Sequence, residues 1–250
     1  MPSSVPAALT MDTAVSARLV ALNRSFYDDF GRAFSATRGR IQPGVQRILS
    51  QLDGSERILD LGCGNGQLAR VLAERGHRGA YLGLDFSLPL LHEAGRQPEG
   101  SQAHFHRADI TTPNWLPANL QPPTFNLIFA FAVLHHIPGQ QMRQDILQNV
   151  RGLLAPGGKF VHSEWQFLES EKLKARIQPW ERIQLSAADV DSGDALLDWR
   201  SGGNGLRYAH QFSAQELLDL AAATGFRVVE SFLSDGAGGR LGLYQTWEGI

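Results

Sequence analysis

The chain has 250 residues, 43% of them hydrophobic and 19% charged, with a formal net charge of −2; that is the balance of a soluble globular protein, and it excludes a disordered polymer or a globally basic nucleic-acid binder. A single cysteine, Cys63, excludes intrachain disulfides and a cysteine zinc cluster, which suits a reducing, cytoplasmic location. Residues 1–17 carry no Lys or Arg, and no run approaches the ~18 apolar residues of a membrane span, so neither secretion nor membrane insertion is expected.

Residues 12–35 and 43–52 read as helices that could cover a ligand pocket, the second opening on Pro43, whose missing N–H costs nothing in a first turn. Six arginines between Arg18 and Arg47 face two acids, which is either a solvated helix face or a local patch for an anion. From residue 56 onward apolar runs alternate with helical patterns: strands at 56–61, 80–85, 102–108, 125–131 and 158–163, and helices at 66–75, 87–95 and 140–154. Leu153 to Phe160, read as an L-x-P-G-G turn, stops the third of these helices. After 163 the periodicity breaks down. A polar helix around 168–176 is followed by Asp189, Asp191, Asp194 and Asp198, read as a solvated loop, and then by a glycine-rich stretch; the whole reads as a lid. Ser213 with Glu216 three residues on opens a helix at 214–224 that Gly225 stops. Strands at 226–232 and 240–247 follow, joined by a glycine-rich turn.

The fold class implied is α/β, a doubly wound, seven-stranded, mostly parallel sheet ending in an antiparallel hairpin at its edge. The expected organisation is a helical cap over 1–52, a core over 53–163, a lid over 164–206 and the remainder of the core over 207–250.

The chemistry concentrates in Arg57-Ile58-Leu59-Asp60-Leu61-Gly62-Cys63-Gly64-Asn65-Gly66-Gln67-Leu68, where an apolar strand meets a helix through three glycines spaced by two. Such glycines let the backbone turn tightly and approach a ligand. Phosphate-binding loops use a different spacing, and Asp60 would repel a pyrophosphate while attracting an ammonium group. The run resembles the first motif of class I S-adenosylmethionine methyltransferases, and the order and spacing of the following motifs over 56–163 resemble that family too. A nicotinamide dehydrogenase is the competing reading of the glycine loop.

The resemblance implies S-adenosylmethionine as cofactor and S-adenosylhomocysteine as product, held by Asp60, Gly62, Cys63, Gly64 and Gly66. Asp85 closes the second strand nineteen residues after Gly66, where with Phe86 beside it a carboxylate would accept both ribose hydroxyls; a helix N-cap is the alternative. Asp109, within Ala108-Asp109-Ile110, would meet the adenine amino group, or be a plain turn aspartate. Phe131 and Ala132, after the fourth strand, would wall the methionine moiety. His135 and His136 are adjacent and cannot both face one ion from regular structure, and His104 and His106 lack a third ligand, so no metal is expected. One of the first pair is expected to pack under a helix and the other to border the acceptor.

Outside the core, Phe34-Ser35-Ala36-Thr37-Arg38 resembles a segment of the tRNA wobble-uridine carboxymethyl methyltransferases, and Asp194 to Trp199 with Leu206 to Phe212 resembles that family's lid. Asp198 stands where that family has Pro, and Ala209 where it has Tyr. This second resemblance implies that Arg38 and Arg207 meet a substrate carboxylate or phosphate, and that Trp199, Tyr208 and His210 shape the acceptor cavity. The function expected is methyl transfer to a modified uridine in tRNA. The alternatives are a small-molecule O- or N-methyltransferase and a non-catalytic scaffold that binds the cofactor. The acceptor, the oligomeric state and any need for an activating protein subunit stay open in the sequence.

Overall fold

The first helix, α1 (Thr13–Ala36), starts where Asp12 accepts the Ala14 N–H at 2.6 Å, a side-chain cap for an otherwise unpaired donor. The computed structural model to which it belongs describes residues 11–36, 39–116, 124–200 and 203–250. In chain order follow α2 (Pro43–Leu49), β1 (Ile58–Leu61), α3 (Gln67–Glu74), β2 (Tyr81–Asp85), α4 (Leu88–Ala94), β3 (Ala103–Arg107) and β4 (Phe125–Phe131). Beyond them lie α5 (Gln140–Leu153), β5 (Leu154–Trp165), α6 (Glu171–Lys174), β6 (Ile177–Gln178), β7 (Asp194–Trp199), β8 (Gly205–His210), α7 (Ala214–Ala223), β9 (Phe226–Ser234) and β10 (Gly242–Gly249). Among the described residues no helix is long and apolar enough to cross a membrane.

Seven strands form one sheet in the order β3-β2-β1-β4-β5-β10-β9. β1 to β5 run parallel and β10 lies antiparallel to both its neighbours, as expected for a doubly wound sheet with an antiparallel end. The chain winds outward from β1 to β3 and then returns to place β4 on the other side of β1, so the winding reverses between β1 and β4 and leaves a crevice above their carboxyl ends. Alternation along each central strand feeds two cores. Leu59, Ile128, Phe160 and Trp247 pack with α5 and α7, whereas Ile58, Leu127, Phe129 and Val161 pack with α2 and α3. β5 runs two residues past its expected end because β10 pairs with it as far as Trp165.

The stretch after β5 is more ordered than its sequence suggests. β6, β7 and β8 make a separate antiparallel sheet, and the expected boundary at 206/207 falls inside β8. Strand periodicity is erased there for a physical reason: β7 is buried on both faces, and β8 buries Arg207, Tyr208 and His210 among its apolar residues. Asp194 is not in a solvated loop. Its carboxylate is fully buried, accepting Tyr208 Oη at 2.6 Å and facing His210 Nδ1 at 2.7 Å.

Candidate active site

A cavity of about 290 Å³ opens at the reversal point, lined from the glycine loop, the ends of β2, β3 and β4, and the inner face of α1. Gly62, Gly64 and Gly66 all take positive φ, +67°, +56° and +71°. At Gly62 a Cβ would stand 2.7 Å from Val133 Cγ2, and at Gly66 2.9 Å from Ala94 Cα, so side chains are excluded from this turn by both conformation and space. Gly62 and Gly64 face the cavity, whereas Gly66 packs on α4. Cys63 is buried towards β2, its sulfur 2.9 Å from where a Cβ on Gly83 would be, and does not line the cavity.

Asp60 departs most from expectation. The strand alternation turns it away from the cavity, onto the face of the sheet that carries Ile58, where the Tyr81 hydroxyl donates to its carboxyl group. Burial pushes its pKa up to about 7, opposed by the Tyr81 hydrogen bond and aided by the nearby Asp85. A carboxyl so placed lies beneath the turn, away from the described cavity lining.

Asp85 does line the cavity. Its Oδ2 accepts the Gly64 N–H at 2.9 Å and its Oδ1 the Ser87 N–H at 2.8 Å, so β2 and the glycine loop are tied through one carboxylate. Ser87 caps α4 with no side-chain bond of its own. Burial lifts the Asp85 pKa to about 6, against the three backbone hydrogen bonds that lower it. A carboxylate offers about four lone-pair sites, so these three bonds leave capacity for a further donor. Phe86 follows, its ring edge-on to Tyr27 with centroids 5.9 Å apart.

Ala108, Asp109, Ile110 and Thr111 form the next wall. Asp109 Oδ1 accepts both the Thr111 hydroxyl at 2.6 Å and its N–H at 3.0 Å, and Oδ2 pairs with Arg24 of α1 across the mouth of the cavity. Phe131 and Ala132 line the far side. Ala132 is held at φ +58°, a conformation that costs a non-glycine residue about 1–2 kcal/mol, by N–H bonds to the Ser163 carbonyl at 2.9 Å and hydroxyl at 3.1 Å.

The two histidines after β4 go separate ways. His135 is buried, with its backbone N–H and its Nδ1 both 2.9 Å from Glu164 Oε2. His162 Nδ1 holds the other oxygen at 2.8 Å. Burial raises the Glu164 pKa well above the usual range and drives His162 down to about 3. His136 borders the cavity. Its Nδ1 lies 3.0 Å from the Tyr208 carbonyl, which can only accept, so that nitrogen carries the ring proton; Nε2 then accepts the Tyr27 hydroxyl at 3.0 Å.

The lining residues of α1, Val20, Asn23, Arg24 and Tyr27, were not individually foreseen. Their spacing, i, i+3, i+4 and i+7, is that of one helix face, a signal present in the sequence but mixed in polarity. Asn23 fastens this face to β8: its Nδ2 donates to the Tyr208 carbonyl at 3.2 Å and its Oδ1 accepts the Tyr208 N–H at 2.8 Å.

Four of the five expected acceptor residues, Trp199, Arg207, Tyr208 and His210, lie elsewhere, and the fifth, Arg38, lies outside the described residues. Tyr208 and His210 belong to a buried network. Arg143 Nη2 donates to Tyr208 Oη at 3.0 Å, and His210 Nε2 sits 2.8 Å from Glu216. Burial opposes protonation of His210, but Asp194 and Glu216 outweigh it and raise its pKa. Arg207 is buried behind the cavity wall, its guanidinium 4.5 Å from the Trp165 ring and 5.7 Å from that of Trp199.

Residues 34–231 match a family described as "Methyltransferase domain". The chain is 31% identical to a "Putative methyltransferase" of Encephalitozoon cuniculi, over 82% of this chain and 87% of that one. It is 34% identical to a trans-aconitate 2-methyltransferase of Pseudomonas aeruginosa over 74% of this chain, a match that spans only 58% of that protein's length. In fold it resembles the 1,6-didemethyltoxoflavin-N1-methyltransferase of Burkholderia thailandensis, with a TM-score of 0.63 at 22% identity, covering 98% of this chain and 93% of that one. A glycine turn, a buried carboxylate at the end of β2 and a crevice at the reversal point thus accompany a family match over most of the chain, which belongs to the methyltransferase-domain family and is an S-adenosylmethionine-dependent methyltransferase.

Proposed function

We propose that the enzyme methylates a small-molecule acceptor inside the cavity roofed by α1. The observation that carries this reading is α1 itself: Asn23 is bonded into β8 and Arg24 onto Asp109, so the helix is fixed along one side of a cavity of about 290 Å³ beside Phe131 and His136, a space that suits a small acceptor. The relatives named for trans-aconitate support it. The reading of a modified uridine in tRNA rested on Arg38, Arg207, Trp199, Tyr208 and His210; Arg38 lies outside the described residues, and the side chains of Trp199, Tyr208 and His210 are occupied by Phe26, Arg207, Asp194, Arg143 and Glu216.

The cradle fits the cofactor. Gly62 and Gly64 leave room for a ligand against the backbone, Asp85 retains acceptor capacity for a ribose hydroxyl, and Asp109 with the backbone of Ala108 and Ile110 would take the adenine. Phe131 and Ala132 would flank the methionine end. Asp60 acts through the turn, and an ammonium would find its partners in backbone carbonyls there. Bound S-adenosylmethionine supplies a methyl group on a sulfonium that is already a good leaving group. The task left to the protein is to fix the acceptor at attack distance and exclude water, effects that contribute up to about 7–11 kcal/mol when geometry is right.

Incubation with radiolabelled S-adenosylmethionine and separate pools of RNA and of low-molecular-weight metabolites tests the assignment. Label is expected in the metabolite pool. Label in tRNA, with none in metabolites, refutes it.

A further inference from the structure

We infer that His210 is a positioning residue for the α1 side of the cavity: as an imidazolium bridging Asp194 of β7 to Glu216 of α7 it clamps β8, the strand that carries α1, and when the ring gives up a proton the clamp opens at Glu216. The inference goes beyond the reaction itself and holds for any acceptor that the cavity takes.

The geometry demands a charged ring. His210 Nδ1 lies 2.7 Å from Asp194 Oδ1 and Nε2 lies 2.8 Å from Glu216 Oε1. Ionised carboxylates only accept and a neutral imidazole has a single N–H, so both contacts are hydrogen bonds only when both nitrogens are protonated. The groups that face the ring are Arg143 from α5, Glu216 from α7, Asp194 from β7 and Asp191 just ahead of β7, with Tyr208 Oη of the same strand sharing Asp194 Oδ1 and Phe212 edge-on. Burial works against the charge, the bonds to Asp194 and Glu216 favour it, and Arg143 opposes it; the balance holds the ring's pKa above its ordinary value.

The clamp reaches the cavity by two routes. Tyr208, two residues before His210, is joined through both of its backbone groups to Asn23 of α1, at 2.8 and 3.2 Å, and its carbonyl also holds His136 Nδ1 at 3.0 Å. Arg143 shares Glu216 Oε1 with the ring, at 3.4 Å, and donates from Nε to the Ile137 carbonyl at 2.9 Å. Asn23, His136 and Ile137 all line the cavity.

The two ends of the bridge are unequal, and this fixes where it gives way. The Asp194 side chain is fully buried, whereas that of Glu216 is 38% exposed. A proton lost to solvent therefore leaves from Nε2, because Asp194 cannot exchange its N–H partner for water. Nε2 then presents a lone pair to Glu216 Oε1, two acceptors face each other, and Glu216 turns outward to water, which unties α7 from β8. The sign follows from the raised pKa: the bridge contributes in full below the ordinary value of about 6.5 and is lost as pH rises through the higher value of the folded protein.

The test uses the full chain without ligand, as wild type and as the Glu216→Gln variant, from about pH 5 to about pH 9, the span in which a perturbed histidine titrates. NMR of the imidazole resonances should show His210 titrating above about 6.5 in the wild type and lower in the variant, where the Gln amide donates to the neutral ring. Amide hydrogen exchange, expressed as protection relative to the unfolded chain so that the pH dependence of the chemistry cancels, is read on peptides from α1 and β8. Wild-type protection in both should fall by about 10–10²-fold across the His210 transition, the worth of one hydrogen bond to a charged group, and the variant should lack that step. Asp60 and Asp85 also titrate with raised pKa values, but equally in both proteins, so the comparison removes them. A merely structural His210 would give both proteins the same pH dependence. Titration of His210 at or below its ordinary value, a wild type without the step, or a step that persists in Glu216→Gln overturns the inference.

Discussion

Replacing Asp60 with Asn separates a ligand-binding acid from a buried structural one. The carboxyl sits beneath the glycine turn with the Tyr81 hydroxyl on it, and burial lifts its pKa from 3.8 to about 7. An unfolded chain returns it to the ordinary value. Below pH 3.8 the group is neutral in both states and contributes nothing; between the two values folding must take up a proton; above pH 7 the folded protein carries the whole cost of a buried charge. Three pK units at about 1.4 kcal/mol each give a penalty of about 4 kcal/mol. Asn cannot ionise and still accepts from Tyr81 through its carbonyl oxygen. Asp60→Asn should therefore stabilise the protein by up to about 4 kcal/mol at pH 8, and by less than about 2 kcal/mol at pH 5. Urea unfolding of both proteins at both pH values measures the difference, with calorimetry of S-adenosylhomocysteine alongside, where the affinity should hold within a few-fold. A variant that is less stable at pH 8 than the wild type, or that loses the ligand, would show that Asp60 is an ionised anchor and that the reasoning from its burial is wrong.

Asp85→Ala should weaken S-adenosylhomocysteine by about 10–10²-fold, from one hydrogen bond to a charged acceptor at about 1.5–3 kcal/mol; unchanged affinity in calorimetry would remove Asp85 from the site. For the wild type the same affinity should rise with pH through about 6 and then level off, because the Asp85 carboxyl accepts through both oxygens only when ionised. Gly62→Ala forces an alanine to φ +67° and a methyl group to 2.7 Å from Val133, which should cost about 2–4 kcal/mol in chemical denaturation. Tyr208→Phe leaves Asp194 and Arg143 without a shared hydroxyl and should cost about 1–3 kcal/mol, with ligand affinity unchanged because the side chain lies outside the cavity.

The cavity lining contributed by the glycine turn and the strand ends was legible because its signals are local. A strand, a glycine-spaced turn and a helix follow one another within a dozen residues, and Asp85, Asp109 and Phe131 each close or follow a strand whose carboxyl end faces the reversal point. That Asp60 and Cys63 do not line the cavity is a matter of facing. One residue of register decides whether a side chain at a strand end looks into the crevice or into the layer beneath, and strand boundaries read from sequence are not that sharp. The α1 side of the cavity and the β6–β8 segment were hidden for a different reason. Tyr27 meets His136 across 109 positions of chain, and β7 and β8 bury charges whose partners, Arg143 and Glu216, come from helices on either side of them in the chain. Polar residues satisfied by distant partners leave no periodic trace, so the segment read as an irregular lid when it is a small sheet anchoring the roof.

The placement of β10 between β5 and β9 constrains how this protein can be made. During synthesis the ribosome delivers β9 before β10, yet β9 has no neighbour in the main sheet until Gly242–Gly249 emerges to bridge it to β5. Until then β5 offers a raw edge and the slot for Trp247 stands vacant among Phe160, His162 and Phe226. Closure is thus a late, long-range event, and nascent chains stalled short of residue 242 should be chaperone clients prone to aggregate.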